Sequence, residues 1–202
     1  VVSNLKVLDK GFVKLVDVWG NELKIAKIAG ISFNNEDPDV EKVIKQIIKH
    51  PCFGTPFEHA GMSIRVKAPI FVLRQWMRQR HLSYNEQSGR YTKLAQEFYL
   101  PEEDEDIKIT YQQSYNKAFD TYKTLLEKGV KKEKARAVLP VATYSEVFIS
   151  GNLRAWLHFI KLRKDPHAQW EIRQYAKVIY TLIREYFPET IKAYEVMKDD
   201  IR

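Results

Sequence analysis

Residues 78–92 read RQRHLSYNEQSGRYT and gather the guanidinium groups of Arg78, Arg80 and Arg90 around Asn85, Glu86, Gln87, Ser88 and Gly89. Arginine forks bind phosphate or carboxylate through paired hydrogen bonds, and a Ser-Gly pair can turn successive backbone N–H groups toward the same anion. Ser88, Gly89 and Arg90 therefore read as a phosphate cradle. Asn85, Glu86 and Gln87 add donors and acceptors of the kind that read the edge of a nucleobase or a similar ring. From these residues alone two readings stand: a pocket for a nucleotide-like ligand, or a polar surface turn held by its own charge pairs. Ser88 has no base-and-orienter pair beside it in sequence, so it reads as an anion ligand and not as a nucleophile.

Other reactive side chains offer less. Cys52 is the only cysteine, which excludes an intrachain disulfide and a cysteine-built zinc site, and it reads as a packed thiol. His59 reads as a local partner of Glu58, and His81 and His167 lack metal-ligand spacing, so no metal is expected. Trp76, Trp156 and Trp170 lie in helical patterns and read as core.

The elements that must position the cluster are legible from periodicity. Residues 5–19 alternate around a tight turn at Asp9, Lys10 and Gly11, as a hairpin does. Helical spacing begins at Asn21, and Val40, Val43, Ile44, Ile47 and Ile48 line one face of a second helix. Met62, Ile64, Val66 and Ala68 alternate with polar residues as a half-buried strand. Pro69 opens the helix PIFVLRQWMR, which carries Arg74 and Arg78 one turn apart to the threshold of the polar cluster. Tyr115, Ala118, Phe119, Tyr122, Leu125 and Leu126 mark a helix closed by Gly129, and Glu133 to Leu139 a short one closed by Pro140. NLRAWLHFIKLR is helical. A last helix is expected from Asp165 as N-cap with Pro166 first, its stripe being Ala168, Ile172, Ala176, Ile179 and Ile183. Residues 101–106, PEEDED, read as an exposed acidic loop. The expected fold class is α+β, one domain over residues 1–202, with a small, mostly antiparallel sheet flanked by helices.

Composition bounds the function. With 45% hydrophobic and 29% charged residues the 202-residue chain has the makeup of an ordinary globular domain, and no apolar run is long enough to span a bilayer. The absence of a basic-then-apolar leader points to a cytoplasmic protein. The 33 basic against 26 acidic residues, a net charge of +7, favour anionic partners. A basic nucleic-acid-binding module using Arg74, Arg78, Arg80 and Arg90, with Tyr84 and Tyr91 as stacking platforms, is the rival from another class.

The segment RQRHLSYNEQSGRYTKL resembles the signature of the flavin-dependent thymidylate synthases: arginine, histidine, arginine, any seven residues, then serine. Arg78 and Arg80 are followed after seven residues by Ser88, and Ser83, Asn85, Glu86, Arg90 and Tyr91 fill the flanking pattern. TPFEH at 55–59, KAPIFVLRQW at 67–76, ARAVLP at 135–140, NLRAWLHFIKLR at 152–163 and HAQWEI at 167–172 extend the resemblance over nearly the whole chain.

The resemblance implies reductive methylation of dUMP to dTMP, with methylenetetrahydrofolate as carbon donor and FAD, reduced by NADPH, as hydride carrier. It implies a homotetramer with active sites between subunits, small-molecule partners, and neither nucleic acid nor membrane. By position, the implied dUMP contacts are Gln75, Arg78, Glu86, Gln87, Ser88, Gly89, Arg90, Arg136 and Arg163. Ser88, Gly89, Arg90 and Arg136 would hold the phosphate, Arg136 coming from the same or a neighbouring subunit. Arg163, the implied catalytic residue, would stabilise uracil deprotonated at N3. The implied FAD contacts are Ser32, Thr55, Arg78, Gln79, Arg80, Glu86, Asn152, Leu153, Arg154 and His158. Asn152 and His158 are six apart, roughly 240° around one helix, so they address different parts of the cofactor or different sites.

Two positions depart from the family pattern. Gln79 stands where the motif has histidine, and Phe53 stands two before Thr55 where histidine is common. Glutamine keeps a donor and an acceptor but lacks the ionisable ring, so hydrogen bonding survives there while proton transfer does not. These departures motivate a third reading, a family member that binds flavin but is impaired in catalysis.

Overall fold

A computed structural model of the chain describes residues 4–49 and 54–199; Cys52 and Phe53 lie outside the described residues. The N-terminal hairpin forms from β1 (Leu5–Val7) and β2 (Gly11–Trp19), joined through Leu8 at a φ of 57°. Gly11 is required by close approach, since a Cβ there would lie 2.6 Å from the Val7 carbonyl oxygen. The expected strand is β3 (Gly61–Pro69). Two further strands complete the sheet: β4 (Ser83–Glu86) and β5 (Tyr144–Asn152), in the order β1-β2-β3-β5-β4 with every pair antiparallel. The middle of the polar cluster is thus an edge strand, with Asn85 opposite Phe148 and Glu86 opposite Val147.

One face of the sheet is apolar. Val13, Met62, Ile64, Val66, Ala68, Val147 and Ile149 are buried beneath α3 (Ile70–Trp76), α6 (Leu153–Arg163) and α7 (Trp170–Tyr186). Trp76 and Phe159 stack there, centroids 4.8 Å apart, with Trp156 edge-on to Phe159. The opposite face is polar: Ser63 and Ser150 share a 2.8 Å hydrogen bond, and Arg65 donates to Glu146 at 2.7 Å between the rings of Phe12 and Phe148. Beside this core pack α1 (Glu22–Gly30), capped by Asn21, and α2 (Val40–Ile48), capped by Asp39. They meet α8 (Pro188–Asp199), which the periodicity did not indicate.

A satellite cluster of Phe98, Phe119, Tyr122 and Ala135 lies under α4 (Glu105–Glu127) and α5 (Lys132–Ala135). Helix α4 starts inside the acidic tract read as a loop. Glu105 and Asp106 occupy its first turn, where carboxylates complement the helix dipole. Its end is as expected: Gly129 takes φ 79° and Val130 N–H donates to the Leu125 carbonyl at 2.9 Å.

Two further expectations are corrected here. Helix α7 begins at Trp170, because the Asp165 carboxylate accepts from His167 N–H at 2.9 Å and its carbonyl from Ala168 N–H at 3.0 Å, closing a local turn in place of a helix cap. Trp170, at that first helical position, is 47% exposed and is not core.

Candidate functional site

The candidate residues fall into three contact groups. The first is built where α3 ends. Arg78, Gln79 and Arg80 follow the helix, with Arg78 and Arg80 exposed and Gln79 turned inward at 4% exposure. Gln79 N–H donates to the Trp76 carbonyl at 2.9 Å, and the hydroxyl of Tyr84 on β4 reaches the carbonyls of Trp76 and Gln79, each at 2.9 Å. Tyr84 therefore ties the polar turn to the sheet, a role not expected from the sequence; its signal is its spacing two residues after Leu82, which is buried just before β4. Burial pushes the Tyr84 phenol well above its ordinary range, so it remains a donor.

Helix α6 delivers the rest of this group. Arg163, its last residue, donates from its guanidinium to the Gln75 carbonyl at 2.8 Å, and the Gln75 amide in turn donates to the Gln169 side chain. Partial burial lowers the Arg163 pKa first, and the nearby Arg78 lowers it further against the opposing effect of Tyr84. A second arginine beside a half-buried guanidinium leaves an excess of positive potential that an anion would relieve. His158, five residues earlier on the same helix, has its Nδ1 2.9 Å from Gln79 Nε2. Its pKa is lowered by burial and then by Lys161, His81 and Arg163.

The second group follows β4. Glu86 and Gln87 line a cavity of about 380 Å³ with Arg65, Asn85, Glu146 and Phe148, and Gln87 N–H donates to the Glu146 carbonyl at 2.8 Å. The chain then turns at Ser88, whose hydroxyl accepts from Arg90 N–H at 3.2 Å and whose carbonyl accepts from Thr92 N–H at 3.0 Å. Gly89 is buried, and a Cβ there would meet Leu94 at 3.0 Å and Arg136 Cδ at 3.2 Å. Arg136 of the same chain therefore lies against the Ser-Gly turn. Arg90 pairs with Glu133 at 3.0 Å, a solvent-exposed bridge of about 0–1 kcal/mol that a phosphate can displace.

The third group comprises a groove beside α1 and α2 and, next to it, the start of α6. Ser32 and Thr55 share a groove of about 1050 Å³, and in the turn that Thr55 opens, Glu58 pairs with Arg154. That contact takes the Glu58 carboxylate to Arg154, where a pairing with His59 was expected. The Asn152 side chain accepts from Ala155 N–H at 2.9 Å as the cap of α6, and Leu153 is a core residue whose N–H donates to the Ala60 carbonyl. Asn152 and His158 thus sit about 9 Å apart along one helix axis, each facing a different group.

A family model described as thymidylate synthase complementing protein matches residues 14–189. The chain belongs to the flavin-dependent thymidylate synthase family. The flavin-dependent thymidylate synthase of Thermotoga neapolitana is 45% identical, the alignment covering 94% of this chain and 93% of that protein. That of Thermosipho melanesiensis is 42% identical over 94% and 92%. Among solved structures, a UMP/dUMP methylase from Streptomyces cacaoi bound to 5-Br dUMP superposes with a TM-score of 0.85 at 31% identity, covering 95% of this chain and 97% of that one. As a member of the flavin-dependent thymidylate synthase family the chain is a methyltransferase and a flavoprotein, and its single α+β domain is the one expected. Its residues fit a flavin: the exposed arginines at 78 and 80 suit a pyrophosphate, and Ser32 and Thr55, in the lining of the 1050 Å³ groove, bring hydroxyl donors and acceptors. No helix among the described residues is long and apolar enough to cross a membrane.

Proposed function

We propose that this member of the flavin-dependent thymidylate synthase family methylates dUMP to dTMP reductively, taking the carbon from methylenetetrahydrofolate, with FAD reduced by NADPH as hydride carrier. The observation that carries the reading is the half-buried Arg163 guanidinium, aimed by the Gln75 carbonyl and set beside Arg78. In this reading Ser88, Gly89, Arg90 and Arg136 hold the phosphate, and Glu86 and Gln87 meet the nucleoside. Arg163 lies at N3 of the uracil and stabilises the ring after loss of that proton, which raises electron density at C5, the carbon that attacks the methylene donor. Arginine suits the role because even a lowered pKa leaves it charged at neutral pH.

The flavin, when bound, supplies hydride chemistry that no side chain can perform. The chain's own task is placement: Arg78 and Arg80 meet its phosphates, while Ser32, Thr55, Gln79, Glu86, Asn152, Leu153, Arg154 and His158 surround the remainder. Three contact groups on one chain suit catalytic sites completed between subunits of a cytoplasmic homotetramer. Purified protein supplied with FAD, NADPH, methylenetetrahydrofolate and dUMP is expected to form dTMP. UMP run in parallel tests whether the ribose is tolerated, since a structural relative is named for both nucleotides. Bound flavin without dTMP would leave the catalytically impaired reading in its place.

A further inference from the structure

Gln79 is one of four buried polar side chains among the described residues, with Thr143, Ser145 and Thr190. Its amide nitrogen lies 3.3 Å from the Ala155 carbonyl oxygen and 2.9 Å from His158 Nδ1. A side-chain NH₂ has two N–H donors and no acceptor. One hydrogen is directed to Ala155 and the other to His158, so Nδ1 of the imidazole must present its lone pair. The reverse amide orientation would allow Nδ1–H to donate to Gln79 Oε1, but would set that oxygen against the Ala155 carbonyl, two acceptors facing each other in a buried site. Ala155 and His158 are three apart on α6, so a single glutamine reads both from α3's end of the fold.

We infer that Gln79 is a positioning residue that locks His158 as a neutral imidazole carrying its proton on Nε2. The ring then offers a fixed donor on its outer nitrogen, suited to a carbonyl or phosphate oxygen of a ligand. The charges around the ring act in the same direction. Lys161 and Arg163 on the same helix, and His81 from the turn before β4, all disfavour the imidazolium, as does partial burial. The glutamine that replaces the motif histidine is therefore a tautomer-setting group: its two donors are fixed in number at any pH, whereas a histidine at position 79 would change between donor and acceptor with its own protonation. The lock is a property of the chain alone; only the identity of the ligand that receives the Nε2 proton rests on the flavin reading above.

The test is made on protein without added ligand, by long-range ¹H–¹⁵N correlation of ring-labelled histidine across pH, with His158 assigned from a His158→Asn spectrum. Wild-type protein is expected to show His158 with an unprotonated Nδ1 and a protonated Nε2, and to titrate below the ordinary histidine value. Gln79→Met, similar in volume but without a donor, is expected to give a mixture of tautomers. Gln79→Glu, whose carboxylate favours the imidazolium, is expected to raise the His158 titration by about one pH unit or more. An Nδ1–H tautomer in the wild type, or a Gln79→Met spectrum with His158 unchanged, would overturn the inference. If Gln79→Met fails to fold, the wild-type tautomer and the Gln79→Glu shift decide it. Failure of dTMP formation with the tautomer as expected would count against the functional reading and leave this one intact.

Discussion

The guanidinium of Arg163 donates to the main-chain carbonyl of Gln75 at 2.8 Å, so the end of α6 is aimed by the last turn of α3. A main-chain acceptor cannot rotate away, and it fixes the fork while leaving its other donors available. Arg163→Ala is expected to lower kcat by about 100-fold or more while flavin content stays near wild type. Arg163→Lys, which keeps the charge but lacks the fork, should recover little of that loss. Steady-state kinetics beside the flavin absorbance of the purified variants checks both.

Ser88 is expected to act as an anion ligand. Ser88→Ala should raise KM for dUMP by about 10-fold, one hydrogen bond to a charged group, and leave measurable turnover. Complete loss of turnover with dUMP still bound would restore the nucleophile. Gly89→Ala is a sterically different test, because its Cβ would press on Leu94 and Arg136; a larger loss of dUMP affinity than in Ser88→Ala is expected. Isothermal titration with dUMP separates the two.

Acid stability has an identifiable contributor. Glu41 is held at about 2 by Lys45 and then by Lys192, which join α2 to itself and to α8. A folded pKa below the unfolded one contributes stability that is present above the ordinary value of 4.5 and is lost as pH falls toward 2. Glu41→Gln is therefore expected to flatten the fall in the urea midpoint between pH 5 and pH 2. Because the pair is exposed, 1 M salt should mimic the substitution.

Trp156→Ala is expected to cost about 3–5 kcal/mol, since the ring is fully buried against Phe159. Trp170→Ala should change stability by about 0.5 kcal/mol or less, because 47% of that residue remains in solvent. Chemical denaturation of both variants measures the contrast.

Much of this was legible in the sequence, for physical reasons. Regular period-two and 3.6-residue patterns, with Asn21, Pro69 and Gly129 as punctuation, mark β1, β2, β3, α1, α2, α3 and the end of α4. Strand β5 escaped because Ser145 is buried and Phe148 is exposed, which reverses the polarity that alternation relies on. Strand β4 escaped because an edge strand rich in hydrogen-bonding groups looks like a loop until its partner is known. The arginines and the Ser-Gly turn announced an anion site by residue type. The inward side chain of Gln79 and the service of Tyr84 did not, since each depends on contacts between segments distant in sequence, as the Gln79 bond to His158 shows.

Reductive methylation of dUMP by this chain is tested most directly in a single turnover without oxygen. Flavin-loaded protein, reduced by NADPH and freed of excess reductant, is mixed with dUMP and methylenetetrahydrofolate while flavin absorbance and dTMP are followed together. dTMP is expected to appear in a one-to-one ratio with reoxidised flavin, and neither is expected when dUMP or the folate is omitted. Flavin that stays reduced, or is reoxidised without dTMP, would contradict reductive methylation by this chain.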